Sequence, residues 1–342
     1  MLNGIKNKVE AELQAYAASL KKTRRLQSIS PLLHTAISDF ILRPGKRIRP
    51  TLFVLGYRAY SRRPAAGLYR SALAFELLHD FMLVHDDIID RSAIRRGKPA
   101  MHSLLGAHFK KVKFTGQDLA IVTGDILYAL AVEAFLSVKE KPQRKETALK
   151  KFSEAALYTG CGEFAELELG VKPLGQLKES DIYRIYDLKT AYYSFAYPLS
   201  IGATLAGAPE RQVQRLFQYG VYLGRAFQLL DDILGMFAEE SQIGKSALAD
   251  LAEAKKTLLV WYAWRHSSLR LRKELHGLLT KKTVTTSDLL NMRLLLMNSG
   301  ALDFCRRQIK ELSDKAEHSI ASLAIPSLYR QALSRFNHTV IF

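Results

Sequence analysis

Glu76–His102 reads ELLHDFMLVHDDIIDRSAIRRGKPAMH, and the rest of the chain falls into place around it. Its first half is apolar at three- and four-residue steps, the period of a helix, and it ends in Asp86, Asp87 and Asp90. At 3.6 residues per turn Asp86 and Asp90 share a face, with His79 on nearly the same line. Phe81, Met82, Leu83 and Val84 flank these carboxylates, a poor setting for simple solvation. A second cluster, Asp231-Asp232, lies in Phe227–Phe237, FQLLDDILGMF, again inside an apolar helical pattern. Buried like charges repel and raise one another's pKa unless a cation neutralises them. Oxygen donors without His or Cys suit Mg²⁺, which keeps waters and takes further ligands from substrate phosphates. Either pair alone reads equally well as a polar helix end, capped by the next turn or paired with Arg. Two pairs on two apolar helices favour a metal site.

The same periodicity runs through Val9, Leu13, Tyr16 and Leu20. It returns over Ala66–Asp90, Asp118–Lys139, Glu179–Ala206, Arg211–Phe237 and Lys256–His276, with Gly, Pro and Ser as punctuation. No alternating β-branched runs compete with it, so the expected fold is all-α. Neither a linker, a repeat nor a low-complexity tract is visible, which makes one domain over 1–342 the simplest organisation. At 48% hydrophobic and 24% charged residues the chain reads as globular rather than disordered.

Cys161 and Cys305 lack the spacing of a disulfide framework or zinc site, and a reducing compartment is expected. The N-terminal residues lack an apolar core, and the most apolar stretch, Leu119–Leu136, is interrupted by Asp125 and Glu133. No signal peptide and no membrane span are therefore expected, and the location is read as cytoplasmic. Fifty Lys and Arg against 33 Asp and Glu leave a net charge of +17. That balance fits nucleic acid, an anionic membrane surface or a phosphorylated substrate. Lys281-Lys282 and the cluster Lys110, Lys111 and Lys113 read as solvated surface.

Other basic residues recur beside the acid clusters: Gly45-Lys46-Arg47-Ile48-Arg49-Pro50, Arg95-Arg96-Gly97-Lys98, Lys189-Thr190, Lys245 and Lys255-Lys256-Thr257. Arg forks bind phosphate bidentately and Lys adds mobile charge, a mixture suited to diphosphate. No nucleotide-binding glycine loop is present. Taken singly, each basic pair reads as surface charge, and only the repeated association with apolar helices and acid clusters raises it above that.

This ordered set, from Gly45 to Thr257, resembles the trans-isoprenyl diphosphate synthase (polyprenyl synthetase) family, in its geranylgeranyl diphosphate synthase-like form. The family's DDxxD stands as Asp86 to Asp90, its GKRxRP as Gly45 to Pro50, its Lys-Thr as Lys189-Thr190, and FQxxDD as Phe227 to Asp232. The resemblance implies a single large helical bundle of the isoprenoid synthase type with a central apolar cavity. It implies head-to-tail condensation of isopentenyl diphosphate with an allylic diphosphate through a carbocation. Asp86, Asp90 and Asp231 would ligate Mg²⁺, three ions in all, with Asp87 and Asp232 in support. Arg95, Lys189, Thr190, Gln228, Lys245 and Lys255 would serve the allylic diphosphate and its reacting carbons. Lys46, Arg49, His79 and Arg96 would hold isopentenyl diphosphate. Phe227 and Tyr193 read as core packing, with cation stabilisation the alternative. A homodimer is implied, nucleic acid is not, and peripheral contact with a membrane stays open.

Four positions depart from the family pattern: Gly235 replaces a third aspartate, Glu163 and Glu166 stand for Gln and Asp, and Ala254 replaces a glycine. The glutamates add negative charge that calls for a nearby Lys or for solvent. Phe81 and Met82, one turn or so before Asp86, are read as the floor of the product pocket, with the Asp118–Lys139 helix or a second subunit completing the wall. A bulky aromatic there, with no two-residue insertion in the first motif, resembles the family's geranylgeranyl-type pattern, which implies a C20 product, with C15 or C25 as the alternatives and a noncatalytic partner subunit as a further one. A terpene cyclase would not need Gly45–Arg49 and His79, and a nucleic-acid binder would leave both acid clusters unexplained.

Overall fold

A computed structural model describes residues 1–22, 25–108, 113–238 and 248–341. The helices are α1 (Leu2–Lys22), α2 (Leu26–Ile29), α3 (Pro31–Ile41), α4 (Ile48–Tyr60), α5 (Leu68–Ile89), α6 (Met101–Gly106), α7 (Gly116–Phe135) and α8 (Pro142–Val171). After a 3₁₀ turn at Leu174–Gln176 come α9 (Glu179–Tyr186), a π-helix over Asp187–Ala196, α10 (Tyr197–Ala206) and α11 (Glu210–Phe237). The chain continues through α12 (Ala249–Ala252), α13 (Leu258–His266), α14 (Leu269–Leu279), α15 (Thr286–Asn298), α16 (Ala301–Ala321) and α17 (Ser327–Ile341). The one departure from helix among the described residues is a two-stranded antiparallel hairpin, β1 (Ile94–Arg95) and β2 (Lys98–Pro99). The helix expected over Lys256–His276 is split, because Ser268 leaves helical geometry and caps α14 by accepting from the Leu271 N–H.

The chain forms two compact units, residues 1–152 with 198–213, and residues 153–197 with 214–342. In the first, α5 packs against α7, α4 and α1. Phe53, Phe75, Phe135 and Phe152 are fully buried there, with Phe75 4.9 Å from Phe53 and 5.3 Å from Phe152 between ring centroids. Such rings dominate core energetics through their area and their tilted contacts. Gly67 starts α5 at φ 80°, where a Cβ would sit 2.1 Å from the Ser137 carbonyl oxygen, so glycine sets how closely the α5 start approaches the end of α7.

The second unit has its own core, including Tyr186, Phe195, Tyr219 and Leu229. Its π-helix carries Lys189 and Thr190, and such widened turns occur often at functional sites. Arg225 holds the first π-helical residue through two 2.6 Å bonds, from Nε and Nη2 to the two oxygens of Asp187.

Candidate active site

In the first unit the last turns of α5 sort the acid cluster by exposure. Asp87 is fully buried, whereas Asp86 keeps about a quarter of its side-chain surface. Arg95 donates from Nε to Asp87 Oδ1 at 2.7 Å and from Nη2 to the same oxygen, and lies 3.6 Å from Asp86. Burial raises the Asp87 carboxyl and the Arg95 bonds oppose that rise. Asp87 thus anchors Arg95, leaving Asp86 and Asp90 as the half-buried pair on one face.

The β1–β2 hairpin aims Arg95 and Arg96. Arg96 at φ 54° and Gly97 at φ 73° form its two-residue turn, which needs positive φ at both central positions. Arg43, fully buried, fastens the hairpin by donating to the carbonyls of Arg95 at 3.2 Å and Pro99 at 3.0 Å. Lys98 turns instead to Asp39.

A buried ionic cluster stands behind the hairpin. Arg47 bonds Glu76 at 2.6 Å and Glu10 of α1 at 2.9 Å, while Arg96 lies 3.4 Å from both Glu76 and Asp80. The GKRIR element therefore divides its labour: Arg47 is an internal tie, Lys46 is exposed and Arg49 half-buried. Burial and the surrounding arginines hold His79 well below its ordinary value, so it is neutral. A Pro at position 50 is tolerated because it lies in the first turn of α4.

In the second unit the other pair is sorted the same way, with Asp231 exposed and Asp232 buried. Uncharged partners hold Asp232: Tyr186 donates to Oδ2, and Gln228 Nε2 donates to Oδ1 at 2.9 Å. Gln228 accepts in turn from Thr190 at 2.6 Å, and Tyr186 accepts from the Leu258 N–H. Burial pushes Asp232 up to about 8, with the Tyr186 and Gln228 bonds opposing. Lys189 sits between Glu163 at 2.7 Å and Glu166 at 2.5 Å, so the two departures from the family pattern are matched by one lysine. Lys255 pairs with Glu253 at 2.7 Å. Lys245 lies outside the described residues.

Sequence reasoning missed several members. At Gly235 a Cβ would meet Asp250 Oδ2 at 1.8 Å, so the space left by the missing aspartate side chain is taken by Asp250 of α12, which also raises Asp232. The clue was an aspartate five residues before Lys255. Glu76, Asp80 and Tyr186 were legible only as helix residues. Tyr128 of α7 meets Phe81 at 5.4 Å between centroids, giving a particular residue to the wall expected from that helix.

Among the described residues no three His, Cys, Asp or Glu side chains converge as a preformed cation cage. Mg²⁺ that shares substrate phosphates needs only one or two carboxylates per ion. The residues present fit a divalent cation: the donors are hard oxygens, Asp87 Oδ2 is buried without a hydrogen-bond partner among the described residues, and the described groups that hydrogen-bond Asp232 are both uncharged.

The sequence profile of the polyprenyl synthetase family matches residues 30–293. A geranylgeranyl diphosphate synthase of Sulfolobus acidocaldarius is 35% identical over 67% of this chain and 66% of its own length, just under two thirds of that relative. The geranylgeranyl pyrophosphate synthase of Corynebacterium glutamicum, solved with isoprenyl diphosphate and magnesium, superposes with TM-score 0.91 at 24% identity over 100% of this chain and 99% of its own. The polyprenyl synthase of Caulobacter crescentus, solved with calcium and isoprenyl diphosphate, gives TM-score 0.83 at 28% identity, over 100% and 97%. The chain belongs to the polyprenyl synthetase family, and it shares the fold of both solved synthases.

Proposed function

We propose that this protein joins isopentenyl diphosphate head-to-tail to an allylic diphosphate, releasing diphosphate and forming an all-trans C20 prenyl diphosphate. One observation carries the reading: α5 holds metal-suited carboxylates at Asp86 and Asp90 and, seven residues or about 10 Å of rise earlier, His79 beside Arg49, Arg95 and Arg96. Two anion sites along one helix fit a reaction with two diphosphate substrates. A cyclase with a single diphosphate needs only the first.

In this reading Asp86, Asp90 and Asp231 hold Mg²⁺, three ions in all, which supplies positive charge to the leaving diphosphate. The calcium in the Caulobacter relative supports a divalent cation. Arg95, anchored by Asp87, binds the allylic diphosphate with Lys189, Lys245 and Lys255, where preorganised charge lowers the ionisation barrier most. Lys46, Arg49, His79 and Arg96 seat isopentenyl diphosphate. Thr190 and Gln228, tied to each other, flank the reacting carbons, and the proton lost after coupling goes to the released diphosphate. Phe81 against Tyr128 closes the apolar pocket that the growing chain fills, at about 0.8 kcal/mol per buried CH₂ until it meets that wall. The proposal extends to one functional domain over 1–342, a homodimer and a cytoplasmic location. Exposed Ile121 and Val122 on α7, and separately Leu157, Phe164 and Leu167 on α8, are apolar surface for a second copy. No described helix is long and apolar enough to cross a membrane.

The test is elongation of dimethylallyl, geranyl and farnesyl diphosphates by purified protein with Mg²⁺ and isopentenyl diphosphate, with Asp86→Ala as control. A C20 product supports the whole reading. C15 or C25 keeps the reaction and rejects the Phe81–Tyr128 wall, and no elongation from any starter leaves the noncatalytic partner subunit.

A further inference from the structure

Asp80 stands next to His79 in the middle of the cationic cluster and has no part in the reaction just described. Its side chain is fully buried, Oδ1 lies 3.4 Å from Arg96 Nη1, and Oδ2 is buried with no hydrogen-bond partner. A buried carboxylate with one oxygen unsatisfied is destabilising, and so calls for a reason to be there.

The charged groups facing it come from several elements. Glu76 lies one turn back on α5, Arg47 and Arg49 come from the start of α4, and Arg96 comes from the hairpin. Glu10 of α1 reaches the cluster through Arg47. The buried residues of α7, including Ala120, Thr123, Gly124 and Leu127, and of α6, Met101 and Leu105, do not titrate, and the half-buried His102 of α6 acts on Asp87. Asp39 of α3 is occupied by Arg43 and Lys98. Burial, with Glu76 beside it, pushes Asp80 up to about 8 against the pull of the three arginines. Neutral, Asp80 accepts from Arg96 without cancelling positive charge, whereas ionised it removes one unit of charge from the site.

We propose that Asp80 is a positioning residue of the isopentenyl diphosphate site, orienting the Arg96 guanidinium and setting, by its own protonation, how much positive charge meets a diphosphate. This rests on the reading of Arg49 and Arg96 as diphosphate ligands. A bound diphosphate favours protonated Asp80, so binding above pH 8 places a proton there, and affinity falls as pH rises. Asp80→Asn keeps an acceptor for Arg96 and stays neutral at every pH, whereas Asp80→Ala removes the acceptor.

The experiment is calorimetric titration of the metal-free full chain with inorganic diphosphate and with isopentenyl diphosphate, at pH 7 and pH 9, in buffers of different ionisation enthalpy. Comparing wild type with Asp80→Asn cancels the ligand's own ionisation. Expected are equal affinities at pH 7, an affinity up to about tenfold weaker for wild type than for Asp80→Asn at pH 9, and extra proton uptake by wild type alone. Asp80→Ala binds several-fold more weakly at both pH values. In turnover the same order appears in KM for isopentenyl diphosphate and not in KM for the allylic partner. Identical pH dependence and proton uptake in wild type and Asp80→Asn overturn the proposal, as does the absence of binding by all three proteins. A persisting calorimetric difference without any elongation supports this role for Asp80 and rejects the reaction instead.

Discussion

Asp86-Asp87 and Asp231-Asp232 share a local pattern, an outward first aspartate and an inward second one on an apolar helix, yet their inward members are kept in opposite ways. Asp87 faces a guanidinium, whereas Asp232 faces a phenol and an amide. A guanidinium satisfies lone pairs and balances charge, but neutral donors do only the first. Asp232 therefore rises to about 8, and the Arg95 bonds oppose the rise at Asp87. Among the described residues no cation hydrogen-bonds Asp232, so under the proposed function the second pair depends more on bound Mg²⁺.

The largest expected effect tests what the two pairs have in common. Asp86→Ala and Asp231→Ala each lower kcat by on the order of 10³-fold in the elongation assay, since each removes charge stabilisation at the leaving group. A loss confined to one of them breaks the symmetry of the outward members.

Next comes the contrast itself, read from denaturant midpoints. Arg95→Met strands a buried carboxylate and destabilises by about 3–5 kcal/mol, while Tyr186→Phe removes one neutral donor and costs about 1–3 kcal/mol. Equal losses would mean that the two inward aspartates are not held differently after all.

Smaller and pH-dependent is the contribution of Asp232. Its folded pKa of about 8 lies above the ordinary 3.8, so between those values the folded state keeps a proton that the unfolded chain releases. Stability in metal-free protein then falls as pH rises through that window, by at most about 1.4 kcal/mol per pH unit. Melting temperatures from pH 5 to pH 8 should decline less steeply in Asp232→Asn. Mg²⁺ with inorganic diphosphate should flatten the wild-type slope, and a slope unchanged by both removes the asymmetry.

The smallest effect concerns Lys189. Glu163→Gln leaves the Glu166 pair in place, so stability changes by about 0–1 kcal/mol. With one competitor removed, KM for the allylic diphosphate falls by up to about threefold; a rise would show that Glu163 aims Lys189 rather than restraining it.

Most helices were legible because a 3.6-residue period survives in the sequence wherever one face is buried, as over Asp118–Lys139 and Arg211–Phe237. The break at Ser267-Ser268 was missed because serine inside an apolar pattern looks tolerable until its side chain caps a new helix. Lys98 shows the limit for charges: its place in RRGKP suggests phosphate, but the hairpin carries it to Asp39.

The sequence by itself determined the all-helical class, the residue types of both acid pairs and the cationic motifs, since these depend on spacing within a turn or two. Tertiary structure alone decided which aspartate of each pair turns inward. It also brought Arg47 to Glu76 across 29 residues and Tyr186 to Asp232 across 46, and placed Asp250 in the space beside Gly235. The physical reason is that a buried charge is tolerated only with a partner, and the partner is chosen by which helices pack together, which no local pattern specifies.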